Sequence, residues 1–243
     1  DLETIPLQML PTVTTAQMQT VDGLMIEKYR VELLQMMELA GHGLAALSRF
    51  LLGGDVHDKR IVVLAGRGNN GGGGLAAARH LHNWGADVTA ATLGALDSYS
   101  PAPAHQLAAF QAGGGRITQQ FDHIAADLIL DAMIGYGIKG DPQTPFDDWI
   151  RLINQGNCAV IALDSPSGLD GTSGVPGTPC VRADATLTLA MPKTGLVAES
   201  ARDYVGDLYL ADIGVPDKLL KEIGLHVKTS DLFSRSSLVM LKR

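Results

Sequence analysis

Residues 60–80 read RIVVLAGRGNNGGGGLAAARH, and three kinds of pattern follow one another in this stretch. IVVLA is a short, nearly continuous apolar run rich in β-branched residues, which is typical of a strand buried on both faces of a sheet. Residues 66–74 are glycine-rich, and from about Leu75 the apolar spacing is helical. A strand, a glycine loop and a helix in this order predict the start of a βαβ unit.

The same alternation of strand and helix patterns continues downstream. Five further apolar runs have the length of strands: ADVTAATLG, ADLILDAMIG, CAVIALDSPSG, DATLTLAMPKTG and GDLYLADIG. Helix-like segments lie between several of them, including PAHQLAAFQAGG and PFDDWIRLINQG. Because such crossovers are right-handed and cover both faces of a sheet, we predict an α/β fold, a three-layer αβα, Rossmann-like, doubly wound and mostly parallel sheet.

Two helices are predicted ahead of the sheet. Thr14 and Gln17 have the spacing of a capping box, and the apolar residues after them share one helical face: Met18, Val21 and Met25. The second helix, ELLQMMELAGHGLAALSRFLL, ends at Gly53 and Gly54. The apolar character of these helices fits a homodimer surface and core packing equally well.

The chain has 243 residues, 46% of them hydrophobic, and is long enough for one sizeable core. We therefore predict a single domain over residues 1–228. The last segment, TSDLFSRSSLVMLKR, is predicted to be a tail or linker over residues 229–243.

Charge and cysteine content restrict the class of protein. The net charge of −7 and the pI near 5.4 provide no basic field for a polyanion, so we expect no nucleic acid partner. Cys158 and Cys180 are too few for a disulfide framework and favour a reducing compartment. No apolar run approaches the roughly 18 to 20 residues that span a bilayer, and DLETIPLQML does not resemble a signal peptide. We expect a cytoplasmic protein without a membrane partner.

Candidate site residues follow the apolar runs, because ligands of an open parallel sheet bind beyond the carboxyl ends of its strands. IVVLA leads into the glycine loop, LIL into Asp131, and VIAL into Asp164. The loop matches G-x-G-x-x-G through Gly66, Gly68 and Gly71. It predicts a nest of backbone amides for an anion at a helix N-terminus, with a simple tight turn as the alternative.

The polar residues at the strand ends allow several interpretations. Asp131 and Asp164 fit a paired acid and base, ligands for a hard cation, or caps of the helices that follow. Ser167 is not part of a G-x-S-x-G elbow, which favours a hydroxyl ligand or a turn former over a nucleophile. Lys193 fits a phosphate contact, but a solvated lysine is the favoured interpretation.

The histidines do not predict a metal site. His80 and His82 are two residues apart on a predicted helix, so they point to different faces. His42 lies between Gly41 and Gly43. This pattern favours the interpretation that two helices approach closely here over the interpretation that His42 is a catalytic base.

Three motifs together, GRGNNGGGGL, DAMIGYGIKGDPQTPF and LDSPSGLDGTSG, resemble the YjeF N-terminal domain family, the NAD(P)H-hydrate epimerases. The resemblance extends over about residues 14–220. It implies an isomerase that interconverts the R and S forms of hydrated NADH and NADPH, a repair of nicotinamide nucleotides. The last segment resembles the one that leads into an ATP- or ADP-dependent dehydratase domain, which implies such a partner, fused or separate.

The resemblance also implies roles for individual residues. Asp164 is the implied catalytic residue and contacts the reacting ring. Together with Asp164, two segments are implied to bind the substrate: Asn69, Asn70, Gly71, Gly72, Gly73, Gly135, Tyr136, Gly137, Ile138, Lys139, Gly140 and Asp141. The implied cofactor is a potassium ion held by Asn70, Asp131 and Ser167, whose oxygen atoms suit a hard alkali cation.

The sequence departs from the family pattern G-N-N-G-G-D-G, because Gly73 stands where the family has aspartate. Arg67 also replaces a usual proline. Without that carboxylate we expect weakened epimerase activity. The alternative is a catalytically inactive nucleotide-binding or dimerisation module, as in the mRNA-decapping proteins that share this fold.

Other nucleotide enzymes are disfavoured by what the motifs lack. The strand pattern DVTAATLGA has no acidic residue at its end to hold a ribose, which argues against an ordinary NAD dehydrogenase. No Gly-Lys-Ser/Thr follows the glycine loop, and no serine elbow is present in the sequence, which argues against a kinase and a serine hydrolase.

Overall fold

The computed structural model describes residues 2–122, 125–138 and 140–243, with the backbone alone for Leu96. These residues form nine strands: β1 (Glu3–Pro6), β2 (Arg60–Ala65), β3 (Asp87–Ala91), β4 (Arg116–Thr118), β5 (Leu128–Ala132), β6 (Ala159–Leu163), β7 (Ala185–Leu189), β8 (Asp207–Ala211) and β9 (Leu238–Lys242). The strands make one sheet in the order β1-β9-β8-β7-β6-β5-β2-β3-β4. β8 and β9 pair antiparallel, and the other described pairings are parallel.

Helices cover both faces of the sheet: α1 (Thr15–Glu27), α2 (Leu33–Leu51), α3 (Asn69–Asn83), α4 (Pro101–Ala112), α5 (Phe146–Gln155), α6 (Arg202–Val205), α7 (Asp217–Glu222) and α8 (Thr229–Phe233). α2, α3 and α4 pack on one face, where Leu44, Leu75 and Phe110 join the strand residues Val63 and Leu130 in one core. α5 covers the opposite face near β5 and β6, and α1 and α7 cover that face near β8 and β9. The predicted three-layer, Rossmann-like α/β fold is confirmed.

The N-terminal helices form as the sequence predicts. In the capping box of α1, the Thr14 hydroxyl accepts from the Gln17 amide at 3.2 Å, and the Gln17 side chain accepts from the Thr14 amide at 2.9 Å. The three apolar residues predicted to share one face are buried: Met18, Val21 and Met25. Within the described part of the chain, no helix combines the length and the apolar character needed to cross a bilayer.

The glycine-rich segment is mostly helical, because α3 begins at Asn69. The predicted helix start near Leu75 is therefore wrong. The physical reason is close packing: a Cβ on Gly71 would lie 1.8 Å from the backbone oxygen of Gly66, so a side chain cannot fit there. Residues 71–74 thus allow α3 to approach its neighbours within the helix rather than in an open loop.

The C-terminal segment is part of the sheet, which corrects its prediction as a tail over residues 229–243. It contains α8 and β9, and β9 lies between β1 and β8. Leu238, Val239 and Leu241 are buried there. β9 pairs with β1, at the start of the chain, and with β8. These pairings cannot be identified from the local sequence of the segment.

The chain changes direction across the sheet between β2 and β5. From β2 it moves outward through α3 and α4 to β3 and β4, whereas β5, β6 and β7 follow on the other side of β2. The loops after β2 and β5 therefore run to opposite faces and leave a crevice at the carboxyl ends of the strands. The residues after β2, β5 and β6 reach this crevice.

Candidate active site

A cavity of about 400 Å³ occupies the crevice at the carboxyl ends of the central strands. One side is apolar and comes from α1 and α2, with Met18, Leu33, Met36, Met37 and Ala40. The other side is polar and contains the start of α3, the residues after β5, and three ionisable side chains: Asp22, Asp164 and Lys193. The cavity thus has the apolar wall with a few convergent polar groups that is usual for small-molecule sites.

The N-terminus of α3 faces this cavity through Asn69 and Asn70. Amides in the first turn of a helix have no acceptor within the helix, and the helix dipole adds partial positive charge there. Gly135 lies opposite: a Cβ on it would be 3.3 Å from the Asn70 Cβ. Absence of side chains on that side keeps the amides accessible to an anion.

Asp164 follows β6 directly and is 4% exposed. Its φ of +67° is in the left-handed region, which non-glycine residues rarely adopt and which concentrates at functional sites. One carboxylate oxygen, Oδ2, accepts from the Tyr136 amide at 3.3 Å. The other, Oδ1, forms an ion pair with Lys193. This carboxylate is thus held from two directions at the edge of the cavity.

Lys193 is fully buried, so the interpretation as a solvated lysine is wrong. Its ammonium donates to Asp164, to the Leu189 carbonyl at 2.9 Å and to the Thr188 hydroxyl at 3.3 Å. The charge also lies 5.7 Å from the centre of the Tyr136 ring. A buried ammonium requires such partners, and here the end of β7 provides them beside the end of β6.

Asp22 brings a second carboxylate to the cavity from α1. Its Oδ2 accepts from the Tyr136 hydroxyl at 2.5 Å. Burial raises the pKa of Asp22 above its usual value, while the Tyr136 hydrogen bond and the Lys193 charge oppose that rise. Burial also raises the pKa of Tyr136, with the negative charge of Asp22 as the next cause. The phenol therefore remains a hydrogen-bond donor.

Asp131 lies behind the cavity wall and is fully buried within β5. It accepts from the Ser167 hydroxyl at 2.6 Å and from the Ser167 amide at 2.7 Å, and Ser167 in turn accepts from the Ile134 amide at 2.9 Å. Burial raises the pKa of Asp131 to about 6, against the hydrogen bonds from Ser167. Since Asp131 does not reach the cavity, it does not form an acid–base pair with Asp164.

The residues around Asp131 suit a cation with oxygen ligands. No cationic side chain in the described residues pairs with Asp131, so its charge lacks a counter-charge. The Asn70 Nδ2 atom is buried with no hydrogen-bond partner among these residues. Rotation of the Asn70 side-chain amide by 180° exchanges its nitrogen and oxygen atoms, so that the oxygen occupies the Nδ2 position. The described residues hold no cluster of three His, Cys, Asp or Glu that could bind a metal ion.

The structure brings part of the predicted set to the cavity. The residues that line it are Asn69, Asn70, Gly73, Gly135, Tyr136, Gly137 and Asp164. The other described members of the set are not among the lining residues: Gly71, Gly72, Ile138, Gly140, Asp141, Asp131 and Ser167. The Asp141 carboxylate accepts from the Thr178 amide at 2.7 Å and joins two loops. Lys139 lies outside the described residues.

The sequence prediction missed Asp22 as a site residue. A usable signal was present, because Asp22 is four residues after Met18 and three before Met25, on the apolar side of α1. A carboxylate at such a position needs a partner or a function.

None of the described histidines lines the cavity. His80 contacts Glu38 at 2.7 Å, and His82 points elsewhere, to the Gly113 carbonyl at 3.2 Å. At Gly41 a Cβ would lie 2.4 Å from the Ala76 Cβ, which confirms the close approach of two helices beside His42.

Comparison with known proteins agrees with this arrangement. The family described as YjeF-related protein N-terminus matches residues 33–195. The NAD(P)H-hydrate epimerase of Dehalogenimonas lykanthroporepellens is 41% identical over 223 residues, which cover 90% of this chain and 88% of that protein. The bifunctional NAD(P)H-hydrate repair enzyme Nnr of Moorella thermoacetica is 36% identical over 86% of this chain, which spans 41% of that protein.

A solved structure supports the fold. The crystal structure of the yeast protein ynu0 superposes with a TM-score of 0.81 at 21% identity, and the match covers 96% of this chain and all of that one. With a doubly wound sheet and a cavity at its switch point, the molecule is of the Rossmann-like α/β class. The chain belongs to the YjeF N-terminal family.

Proposed function

We propose that this chain is an NAD(P)H-hydrate epimerase, an isomerase that interconverts the R and S forms of hydrated NADH and NADPH. The observation that carries the proposal is the buried Asp164–Lys193 ion pair at the edge of an amide-lined cavity, in a chain 41% identical to a protein of that name. The names of the relatives do not favour the non-catalytic alternative.

The nucleotide half of the substrate requires an anion site. The first-turn amides of α3 at Asn69 and Asn70 provide one without basic side chains, which suits a chain with a net charge of −7. We assign substrate binding to residues 69–73 and 135–141, including Lys139, and to Asp164. A cavity of about 400 Å³ is of the size that holds one small-molecule group.

The reacting carbon, C6 of the ring, carries a hydroxyl and is bonded to the ring nitrogen. Loss of the hydroxyl with a proton gives water, while the nitrogen lone pair forms a double bond to C6. Water then adds to the opposite face and gives up a proton. Asp164 is the main proton carrier in this scheme, because it lies at the edge of the cavity and Lys193 fixes its position.

A potassium ion is part of the proposal, with Asn70, Asp131 and Ser167 as its ligands. Its support is the buried Asp131 carboxylate, which has no ion-pair partner among the described residues, and the Asn70 amide end, which has no hydrogen-bond partner among them. When bound, the ion supplies positive charge that holds the loops after β5 and β6 together. Asp131 and Ser167 already join these loops by hydrogen bonds.

The proposal extends to partners and location. The name of the Moorella relative describes a bifunctional repair enzyme, so a dehydratase that consumes the epimerised product, fused or separate, is the expected partner. We also propose a homodimer and a cytoplasmic location, with no nucleic acid or membrane partner.

The test is a direct assay of epimerisation. Hydrated NADH enriched in one epimer is incubated with the protein, and chromatography follows the appearance of the other epimer. We expect a rate well above spontaneous interconversion, and a fall of about 100-fold or more in Asp164→Asn. Asp148→Asn, on the exposed side of α5, is the matched control and should keep the rate. Nucleotide binding without accelerated epimerisation would refute the enzyme and favour a binding module.

A further inference from the structure

Epimerisation at C6 places a chemical demand on both faces of the ring. The hydroxyl leaves from one face and needs a proton there, whereas water arrives on the other face and must lose one there. A single carboxylate at a fixed position reaches one face. The reaction therefore gains from a second proton carrier on the opposite side of the same cavity.

Tyr136 shows where a second carrier lies. Its backbone amide donates to Asp164 Oδ2 at 3.3 Å, and its hydroxyl donates to Asp22 Oδ2 at 2.5 Å. The two carboxylates thus contact opposite ends of Tyr136, and both line the same cavity. A ring bound in this cavity therefore has a carboxyl group near each end of Tyr136.

The surroundings of the two carboxylates differ in the way that an acid and a base require. Asp164 has a direct ion pair with Lys193. Asp22 has no ion-pair partner among the described residues, and its direct contact is the Tyr136 hydroxyl. The other charges that act on Asp22 are Lys193 and Asp164. Two carboxyls whose environments differ in this manner are the usual arrangement for an acid–base pair.

We propose that Asp22 is a second catalytic residue, which serves the ring face opposite to Asp164. In one direction Asp22 donates a proton to the leaving hydroxyl, the C6–O bond breaks with its electron pair on oxygen, and the nitrogen lone pair forms the double bond to C6. Water then bonds to C6 from the other face and transfers its proton to Asp164. The reverse direction exchanges these roles, and solvent restores the starting protonation between turnovers.

This inference rests on the proposed function and is tested by isotope exchange. In water enriched in oxygen-18, Asp22→Asn should lower the rate of epimerisation about 100-fold or more. Asp164 then still removes and returns the hydroxyl on its own face. One epimer should therefore gain the label with its configuration retained, after subtraction of the rate without enzyme. Asp164→Asn should label the opposite epimer.

The outcomes distinguish the role of Asp22 from the proposed epimerase function. In Asp22→Asn the new side chain keeps an oxygen atom that accepts from the Tyr136 hydroxyl. Circular dichroism and the unfolding midpoint establish that this variant is folded. An unchanged epimerisation rate in Asp22→Asn would overturn the inference and leave the epimerase intact. Loss of label exchange for both epimers alike in the folded variant would also overturn it. Absence of epimerisation in the unaltered protein would instead refute the proposed function.

Discussion

The ammonium of Lys193 and the carboxylate of Asp164 form an ion pair in which the side chains are 0% and 5% exposed. Asp164 directly follows β6, and Lys193 lies in the segment after the neighbouring strand β7. Low exposure strengthens the interaction, and loss of either partner leaves the other charge buried and unpaired. The pair is therefore both a structural element and the means by which the site holds a reactive carboxylate in place.

Replacement of Lys193 by methionine tests this double role. We expect Lys193→Met to lower stability by about 3 to 5 kcal/mol, because Asp164 is left buried without its counter-charge. Epimerisation should fall about 100-fold or more, since the carboxylate then loses the partner that holds its position. Urea unfolding and the epimerisation assay measure the two effects.

The double variant Lys193→Met/Asp164→Asn separates stability from chemistry. With both charges removed, most of the lost stability should return while the activity does not. Lys218→Met, at an exposed lysine, is the matched control and should change neither quantity. Full activity in Lys193→Met would contradict the role assigned to the pair.

Gly66 and Gly68 flank Arg67 at the start of the glycine-rich segment and should respond differently to alanine. A Cβ on Gly66 would lie 2.0 Å from the backbone oxygen of Met133, which cannot move without the strand end. Gly66→Ala should therefore cost about 2 kcal/mol or more. Nothing lies within 4 Å of a Cβ on Gly68, so Gly68→Ala should cost less than about 1 kcal/mol. Equal unfolding midpoints in urea would disprove the packing explanation.

Gly73→Asp restores the carboxylate that the family pattern has at this position. A Cβ there meets the Cδ2 atom of Leu163 at 2.8 Å, the flexible end of a side chain, so the variant should fold. We expect kcat for epimerisation to rise, by up to about 100-fold if the carboxylate takes part in proton transfer. Gly73→Asn has the same shape without the charge and should not gain. A rate equal to that of the unaltered protein would show that Gly73 does not limit activity.

Potassium should stabilise the folded chain through Asn70, Asp131 and Ser167. An ion that binds only the folded state raises the unfolding midpoint with its concentration. We expect a higher midpoint in potassium chloride than in choline chloride at equal ionic strength, and a much smaller difference in Asn70→Ala. Asn69→Ala, at the exposed neighbouring residue, should keep the response. Equal midpoints of the unaltered protein in both salts would exclude the ion site.

Long apolar runs and capping signals allowed the sequence to predict most of the fold. The six predicted strands and the Thr14 capping box depend on local patterns, so they could be identified without tertiary information. β1, β4 and β9 were missed: β1 and β4 are short strands at the two edges of the sheet, and β9 lies in the segment that was predicted to be a tail. The start of α3 was misplaced because glycines that serve packing inside a helix have the same composition as a flexible loop.

The candidate site was predicted in part. Asp164 and Asn70 follow from the rule that strand ends carry ligand-binding residues, and the structure places both at the cavity. Lys193 lies in the segment after the neighbouring strand β7, but no local pattern distinguishes a lysine paired in the interior from one in solvent. Asp22 is distant in sequence, and only the packing of α1 against the strand ends brings it to Tyr136.

The sequence by itself determined the alternation of strands and helices, the glycine-rich segment after β2 and the polar residues that end β5 and β6. These properties depend on periodicity and residue type, which are local. The tertiary structure alone decided which polar side chains contact each other: Lys193 with Asp164, Asp22 with Tyr136, and Asp131 with Ser167. The physical reason is that burial and pairing depend on neighbours brought together by sheet order, which no short stretch of the chain specifies.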